Sequence, residues 1–315
     1  MSPNSWICLH PSNATQTTVS LDNRGLAYGD GFFTTMGVID GQILWLDYHQ
    51  QRLVSHAAAL QLQLDSQSLL AMLKTHAKQL QQGMLKLIIT RAEQEVRGYG
   101  YTPNIGGGSA CEIWLKSSPM AITTARSLPL ADGQFIPLQP TASAICLSSQ
   151  IACLPPTLAG LKSLNRLDNV LASGELQAIK AKTLAGTIKP SIAEGLLRDM
   201  SGQWVEGTMS NVFYQLVEAP VAKSSNRPHS QNNSNYLTQG QWYTPSMAQS
   251  GVAGVMRQVI IDTLSTSNNP VIIRSLQDED LPHLSQLFFC NALRGIMPMS
   301  SLRLLSGEVV SFEAI

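Results

Sequence analysis

The amino-acid sequence predicts a protein of the α+β class with two domains. The chain has 315 residues, of which 44% are hydrophobic, enough to bury two cores of ordinary size. Its first half contains both helix-like and strand-like segments. A stretch rich in Pro, Ser, Thr and Gly at residues 118–140 has the composition of a connector. We therefore expect a small N-terminal domain at 1–117 and a larger domain at 141–315.

The first half begins with a predicted β-hairpin at residues 32–46. Two runs of strand-forming residues flank Asp40 and Gly41, a pair that favours a two-residue turn of type I′. Apolar residues then recur at helical spacing, which predicts a helix over 47–62 capped by Asp47. A second helix over 66–82 and a strand over 85–90 complete this half.

In the second half, the pattern predicts strands over residues 144–147, 212–216 and 287–290. Helices are expected over 165–180 and 255–264. Residues 222–241 are mostly polar and have too little apolar surface to pack, so we expect a long mobile loop there.

Composition narrows the class of partner to a small molecule. Lys and Arg balance Asp and Glu at 21 each, so no overall charge attracts nucleic acid. The five cysteines are scattered, as is typical of reduced thiols in a cytoplasmic protein, and no apolar run reaches membrane-spanning length. His49 and His56 have no accompanying ligand cluster, so no metal site is expected. We expect a cytoplasmic protein without nucleic-acid or membrane partners.

Lys162 and Glu206 are the residues most indicative of chemistry. Lys162 lies in GLKSLNRL at 160–167, just before an amphipathic helix, and Glu206 lies in VEGTMSNVF at 205–213. A lysine amine can form an imine, and a carboxylate can keep a pyridine nitrogen protonated, which together suggest pyridoxal phosphate. Taken alone, a lysine is more often an ordinary exposed charge than a catalytic group, and Glu206 is equally consistent with a turn carboxylate.

Two further segments could hold a phosphate. The sequence GVAGVMR at 251–257 opens a helix, and the free N–H groups of a helix start bind anions, although glycine also serves a plain loop-to-helix junction. Arg52 borders the buried face of its helix and could contact a phosphate bidentately. The glycine-rich run at 106–109 lacks a P-loop lysine, and no G-x-S-x-G nucleophile motif occurs.

In this order along the chain, the motifs resemble those of the fold-type IV pyridoxal-phosphate-dependent enzymes. This group includes branched-chain aminotransferases, D-amino-acid aminotransferases and aminodeoxychorismate lyases. The resemblance extends from about Leu21 to the C-terminal region. It implies a small α/β N-terminal domain, a larger C-terminal pseudo-barrel domain, pyridoxal 5′-phosphate at their interface, and a homodimer in which Arg97 could serve the partner's site.

The resemblance also implies roles for individual residues. Lys162 would be the Schiff-base lysine, Arg52 the phosphate-binding arginine and Glu206 the partner of the pyridinium nitrogen. On the phosphate side, the resemblance adds the backbone at Val255 and Met256, together with Ala292.

Within the group, the sequence is most similar to the aminodeoxychorismate lyases. The similarity rests on YGDGFFTT at 28–35, RGY at 97–99, LKSLNRL at 161–167 and CNAL at 290–293. It implies that Thr35 protonates the departing pyruvate fragment and that Arg97 and Tyr99 lie near the substrate carboxylates. Gly37 stands where related sequences often carry an arginine.

The implied reaction converts 4-amino-4-deoxychorismate into 4-aminobenzoate and pyruvate, a step toward folate. One alternative is a fold-type IV aminotransferase that acts on D- or branched-chain amino acids. Another is a catalytically silent relative that keeps the fold.

Overall fold

The computed structural model describes residues 6–10, 18–103, 108, 110–122, 126–130, 134–184, 192–217 and 237–312. The chain divides into two compact units. Unit 1 comprises Met1–Ile122 together with Gly160–Arg166, and unit 2 comprises Thr123–Ala159 and Leu167–Ile315. Within the described residues, no helix is both long and apolar enough to cross a membrane.

Unit 1 contains a five-stranded antiparallel sheet covered by two helices on one face. In chain order its elements are β1 (Trp6–His10), α1 (Arg24–Tyr28), β2 (Gly31–Ile39), β3 (Gln42–Ile43), α2 (Leu46–Ala59), α3 (Ser66–Leu80), β4 (Gly83–Arg91) and β5 (Cys111–Pro119). The strand order is β1-β5-β4-β2-β3. One hydrophobic core lies between the sheet and the helices. It contains apolar residues of α2 and α3 and alternate residues of the strands, such as Phe32, Met36, Leu87 and Leu115. The intervening residues of these strands point to the other face of the sheet.

The hairpin at the start of unit 1 has the predicted turn. Asp40 and Gly41 have φ angles of 51° and 71°, as a type I′ turn requires. The second strand is shorter than expected and ends at Ile43. The predicted cap of α2 is wrong, because Trp45 occupies the N-cap position with a left-handed φ of 58° and Asp47 lies in the first turn.

Unit 2 is built around a larger sheet. Its elements are β6 (Arg126–Pro129), β7 (Phe135–Leu138), β8 (Ala142–Ile151), α4 (Leu167–Leu184), β9 (Ile192–Asp199), β10 (Trp204–Gly207), β11 (Asn211–Leu216), β12 (Tyr243–Thr244), α5 (Val255–Leu264), β13 (Ile272–Ile273), a 3₁₀ helix (Asp278–His283), β14 (Leu284–Asn291), β15 (Gly295–Arg303) and β16 (Val309–Ser311).

Six of these strands form a closed ring. Each strand pairs with the next in the order β8, β9, β10, β11, β14 and β15. The ring closes because β15 also pairs with β8. One apolar cluster of unit 2 includes Trp204, Tyr214 and Phe289, and a second joins β8 and β9 to Ala172 and Leu176 of α4. This ring confirms the expected pseudo-barrel.

The predicted domain limits remain a prediction, and the two units add detail to them. Within the expected connector, residues 126–129 and 135–138 form β6 and β7, which pair with each other. The segment Gly160–Arg166, expected in the larger domain, groups with unit 1. Of the expected mobile loop at 222–241, residues 222–236 lie outside the described residues.

Candidate active site

Lys162 lies on a short segment that runs beside β2 in unit 1. The Phe33 N–H donates to the Lys162 carbonyl, and the Leu164 N–H donates to the Gly31 carbonyl, both at 3.0 Å. Phe32 and Ser163 form an isolated antiparallel bridge between these bonds. The Lys162 Nζ atom lies 4.6 Å from the centroid of the Phe33 ring. The lysine amine is therefore directed to the face of β2 that carries Phe33.

His56 of α2 fixes the remaining main-chain group of Lys162. The Lys162 N–H donates to His56 Nε2 at 2.9 Å. Ser55 Oγ lies 3.2 Å from His56 Nδ1 and donates to the Arg52 carbonyl, so Nδ1 must carry the imidazole proton and donate to the hydroxyl. Burial, followed by the charges of Arg52, Lys162 and Arg166, lowers the pKa of His56 to about 3. His56 is thus a neutral acceptor at physiological pH.

Arg52 is buried on the same helix, in a small polar cluster. Its Nη1 atom donates to Thr34 Oγ1 at 3.5 Å, and Thr34 Oγ1 lies 2.9 Å from His49 Nδ1. Burial lowers the pKa of Arg52 to about 10, which still leaves the guanidinium charged at neutral pH. Burial, followed by the charge of Arg52, holds the pKa of His49 well below its ordinary value. A buried arginine beside neutral groups is suited to an anionic ligand such as phosphate.

Thr35 lies on the same face of β2 as Phe33. Neighbouring residues of a strand point to opposite faces, and Thr34 is fully buried toward the helices while Thr35 is half-buried. Thr35 is paired directly with Lys86 of β4, a residue that no sequence motif indicated. The structure therefore brings Thr35 and Lys162 to one face of the sheet of unit 1.

Arg97 and Tyr99 lie on the loop that follows β4. Both side chains are exposed, and the Tyr99 ring contacts the Tyr28 ring edge-on at 5.3 Å. Arg24 holds the main chain of the loop, donating to the carbonyls of Gly98 and Tyr99 at 3.4 and 3.2 Å. The described contacts of unit 1 do not bring Arg97 or Tyr99 to Lys162, so their predicted role at the substrate remains a prediction.

Glu206 is a buried carboxylate of β10 in unit 2. Its Oε1 atom accepts from Asn169 Nδ2 at 3.5 Å, and its Oε2 atom accepts from the Val252 N–H at 2.8 Å. Asn169 is on α4 and Val252 is on the loop before α5. These contacts fix the plane of the carboxylate. Gly251, at a φ of +77°, approaches so closely that an added Cβ would lie 3.0 Å from Glu206 Oε2.

A second buried carboxylate, Glu194 of β9, holds the turn that follows Glu206. It accepts from the Thr208 N–H at 3.0 Å, from Thr208 Oγ1 at 2.5 Å and from Ser210 Oγ at 2.7 Å. The Gly195 N–H adds a fourth hydrogen bond at 3.0 Å. Glu194 thereby determines where the main chain runs between β10 and β11. Local sequence patterns do not indicate this role, because Thr208 and Ser210 follow Glu194 by 14 and 16 residues.

The N-terminus of α5 lies close to the same turn. Gly254 is the N-cap, and a Cβ added there would lie 1.9 Å from Asn211 Oδ1, so a larger residue would have to displace the Asn211 amide, which donates to the Val252 carbonyl. The side chains of Val255 and Met256 are buried, whereas the first N–H groups of a helix have no partner within the helix. Ala292 is half-buried in the turn between β14 and β15. Unit 2 thus offers a fixed carboxylate and a glycine-capped helix start.

The chain belongs to the class IV aminotransferase family, whose model matches residues 31–302. Enzymes of this family use pyridoxal 5′-phosphate, and their fold is the fold-type IV arrangement expected from the sequence.

Individual relatives include both lyases and aminotransferases. The chain is 24% identical over 288 residues to the aminodeoxychorismate lyase of Vibrio harveyi, covering 91% of this chain and 88% of that protein. It is 26% identical over 303 residues to a protein of Methanocaldococcus jannaschii provisionally named a branched-chain-amino-acid aminotransferase, covering 94% and 86%. The crystal structure of 4-amino-4-deoxychorismate lyase from Pseudomonas aeruginosa matches with a TM-score of 0.68 and 29% identity, covering 94% of this chain and 91% of that one.

The residues present fit the cofactor of the family. Unit 1 supplies an amine and a buried guanidinium, as an aldehyde and a phosphate require. Unit 2 supplies a buried carboxylate, as a protonated pyridine nitrogen requires, and a helix start capped by Gly254, where an added Cβ would lie 1.9 Å from Asn211 Oδ1. Helix starts of this kind bind phosphate. His56, Glu194 and Asn169 complete these groups and were not predicted from the sequence.

Proposed function

We propose that this chain is a pyridoxal-phosphate-dependent carbon–oxygen lyase that converts 4-amino-4-deoxychorismate into 4-aminobenzoate and pyruvate. The main observation in its support is that Lys162 and Thr35 lie on one face of the sheet in unit 1, with the Lys162 main chain held by β2 and by His56. The likeness to lyases of Vibrio harveyi and Pseudomonas aeruginosa supports the substrate class.

The chain's own residues would hold the cofactor by three kinds of contact. Lys162 would bind its carbonyl carbon, and Glu206 would hold the pyridine nitrogen. Its phosphate would contact Arg52 and the main chain at Val255, Met256 and Ala292. When bound, the cofactor withdraws electrons from the substrate carbon that bears the amine. The orientation of Glu206, fixed by Asn169 and Val252, keeps its charge directed at one position.

Two residues would move protons in the reaction. The amine of Lys162 removes the proton from the carbon that bears the substrate nitrogen. The ring carbon–oxygen bond then breaks, the ring becomes aromatic, and pyruvate leaves as its enolate. Thr35 supplies a proton to the methylene carbon of that enolate, which yields pyruvate, and the proton held by Lys162 returns to Thr35. Positioned proton transfers of this kind contribute roughly 10²- to 10⁴-fold to the rate.

The second candidate function is an aminotransferase acting on D- or branched-chain amino acids. The relative from Methanocaldococcus jannaschii favours it, and it would use the same cofactor residues. The two functions differ in their co-substrates, since an aminotransferase must pass its amino group to a keto acid, whereas the lyase requires none.

We also propose that the protein is a homodimer. The exposed face of α4 carries Leu167, Val170 and Leu171, which are 79%, 61% and 71% exposed. These positions recur at the spacing of one helix face. A second copy of the chain would remove this apolar surface from water.

The first prediction distinguishes the two enzymes. Given 4-amino-4-deoxychorismate made in situ from chorismate, the purified protein with pyridoxal phosphate should release 4-aminobenzoate and pyruvate in equal amounts without any keto acid. Chromatography measures the first product and lactate dehydrogenase the second. We expect Lys162→Ala to lose turnover and Thr35→Ala to slow it by about 10²-fold or more.

Ser163→Ala, next to the lysine on the same segment, is the matched control and should stay within a few-fold of the parent. Product that forms only when 2-oxoglutarate and an amino acid are supplied together would establish the aminotransferase instead.

A further inference from the structure

Lys86 shares a face of the sheet with the two residues proposed to move protons. β2 and β4 pair so that Lys86 lies directly opposite Thr35, and Cβ atoms of such pairs are about 4.5–5.5 Å apart. The Nζ atoms of Lys86 and Lys162 lie 5.4 and 4.6 Å from the centroid of the same Phe33 ring. Two amines and one hydroxyl are thus gathered around a single aromatic side chain.

In the described sheet of unit 1, the residues paired directly with Lys86 bring no acidic side chain to this face. On its other side, Lys86 lies directly opposite Lys116 of β5, and like charges in that position destabilise a sheet. In the described part of the chain, neither lysine takes part in an ion pair. Glu112 shares the face, but it lies further along β5 from Lys116, about 13 Å away, and it accepts from Asn23 and Trp114. A bound anion would relieve this repulsion.

Gly37 brings no side chain to this face, whereas Lys86 is a cation paired directly with Thr35. Gly37 is the next residue of β2 on this face and pairs with Met84, so it contributes no charge. We propose, building on the lyase function above, that Lys86 binds the carboxylate of the enolpyruvyl group and so selects substrates with a second carboxylate. Thr35 is the residue proposed to protonate the pyruvate fragment. Because Lys86 is paired directly with Thr35, we assign Lys86 to the carboxylate of that fragment and not to the other carboxylate of the substrate.

The second prediction concerns Lys86→Met, which removes the charge and keeps the length of the side chain. A charge-assisted hydrogen bond is lost, so KM should rise about 10- to 100-fold with a much smaller change in kcat. The inhibition constant of pyruvate should rise similarly, while that of 4-aminobenzoate changes less than about threefold. Lys86→Arg keeps the charge and should restore KM to within about fivefold of the parent.

A binding measurement separates this inference from the lyase proposal. Chorismate carries both carboxylates but has a hydroxyl in place of the amine, so it binds without reacting at Lys162. Calorimetry should give a chorismate dissociation constant at least about tenfold weaker for Lys86→Met than for the parent. If the parent forms no 4-aminobenzoate yet binds chorismate in this Lys86-dependent way, the lyase proposal fails and the carboxylate site stands.

Lys116→Met is the matched control, because it removes a lysine from the same cross-strand row at one strand further from Thr35. It should change KM and chorismate affinity by less than about threefold. Equal losses in Lys116→Met and Lys86→Met would overturn the assignment, as would parental chorismate binding by Lys86→Met or a Lys86→Arg protein as impaired as Lys86→Met.

Discussion

At the scale of single residues, the site depends on a histidine that must remain uncharged. Only a neutral imidazole has a lone pair at Nε2 for the Lys162 N–H. A protonated His56 would lose that bond and place a third positive charge beside Arg52 and Lys162. Burial, the largest cause of its lowered pKa, prevents this. His56 is therefore a positioning residue for the lysine.

The third prediction follows from that pKa. Protonation favours the unfolded chain, where the histidine pKa is about 6.5, over the folded one, where it is about 3. The free energy of unfolding should therefore fall as pH decreases from about 6.5 toward 3, by up to roughly 1.4 kcal/mol per pH unit for this group. Glutamine at position 56 can still accept a hydrogen bond but does not titrate, so His56→Gln should lose stability less steeply.

Urea unfolding at pH 7, 5.5 and 4.5 measures the difference. His283→Gln, which removes an exposed histidine of the 3₁₀ helix, is the control and should follow the parent. Parallel curves for the parent and His56→Gln would contradict the neutral, buried state of His56.

At the scale of elements, the turn between β10 and β11 owes its shape to Glu194. Four donors from three residues converge on this one buried carboxylate, and the turn begins after Gly207, the residue that follows Glu206. Because Gly207 would place a Cβ only 2.4 Å from Ser210 Oγ, the turn has little room to adopt another path. The position of the Glu206 carboxylate is thus set partly from β9.

The fourth prediction is that Glu194→Ala destabilises the protein by about 3 kcal/mol or more, because buried donors lose their acceptor. Glu175→Ala is a close control. Glu175 also accepts four hydrogen bonds, from the N–H and hydroxyl groups of Ser148 and Ser149, but it lies nearer the surface, where water can replace it. Equal losses of unfolding free energy in the two variants would show that burial of the Glu194 network is unimportant.

The elements themselves were largely predictable, whereas the contacts that orient the site were not. Hydrophobic periodicity indicated α3, α5 and the main strands, and the Asp40-Gly41 turn was found from its dipeptide. Local patterns cannot reveal a bond between residues 106 positions apart, such as that of His56 with Lys162. The Asp47 cap was wrong because Trp45 adopts a left-handed conformation, for which its sequence gives no indication.

At the scale of the whole molecule, the exposed apolar face of α4 bears on the oligomeric state. The fifth prediction is that the parent is a dimer by light scattering and that Leu171→Lys shifts it toward monomer, because a charge cannot be buried there without a partner. Gln177→Lys, at an exposed position further along the same helix, should remain dimeric. A monomeric parent, or a Leu171→Lys protein that stays fully dimeric, would contradict the homodimer.

The course of the chain through Gly160–Arg166 has a consequence for biosynthesis. The end of β2 that contains Gly31 and Phe33 obtains its neighbour from this segment, and the segment follows β6, β7 and β8 in the sequence. A ribosome that has released only residues 1–122 has therefore delivered an N-terminal unit in which this end of β2 is paired with β4 on one edge only. The unit becomes complete only after Gly160–Arg166 has emerged, so its folding cannot finish while residues 1–122 alone are available.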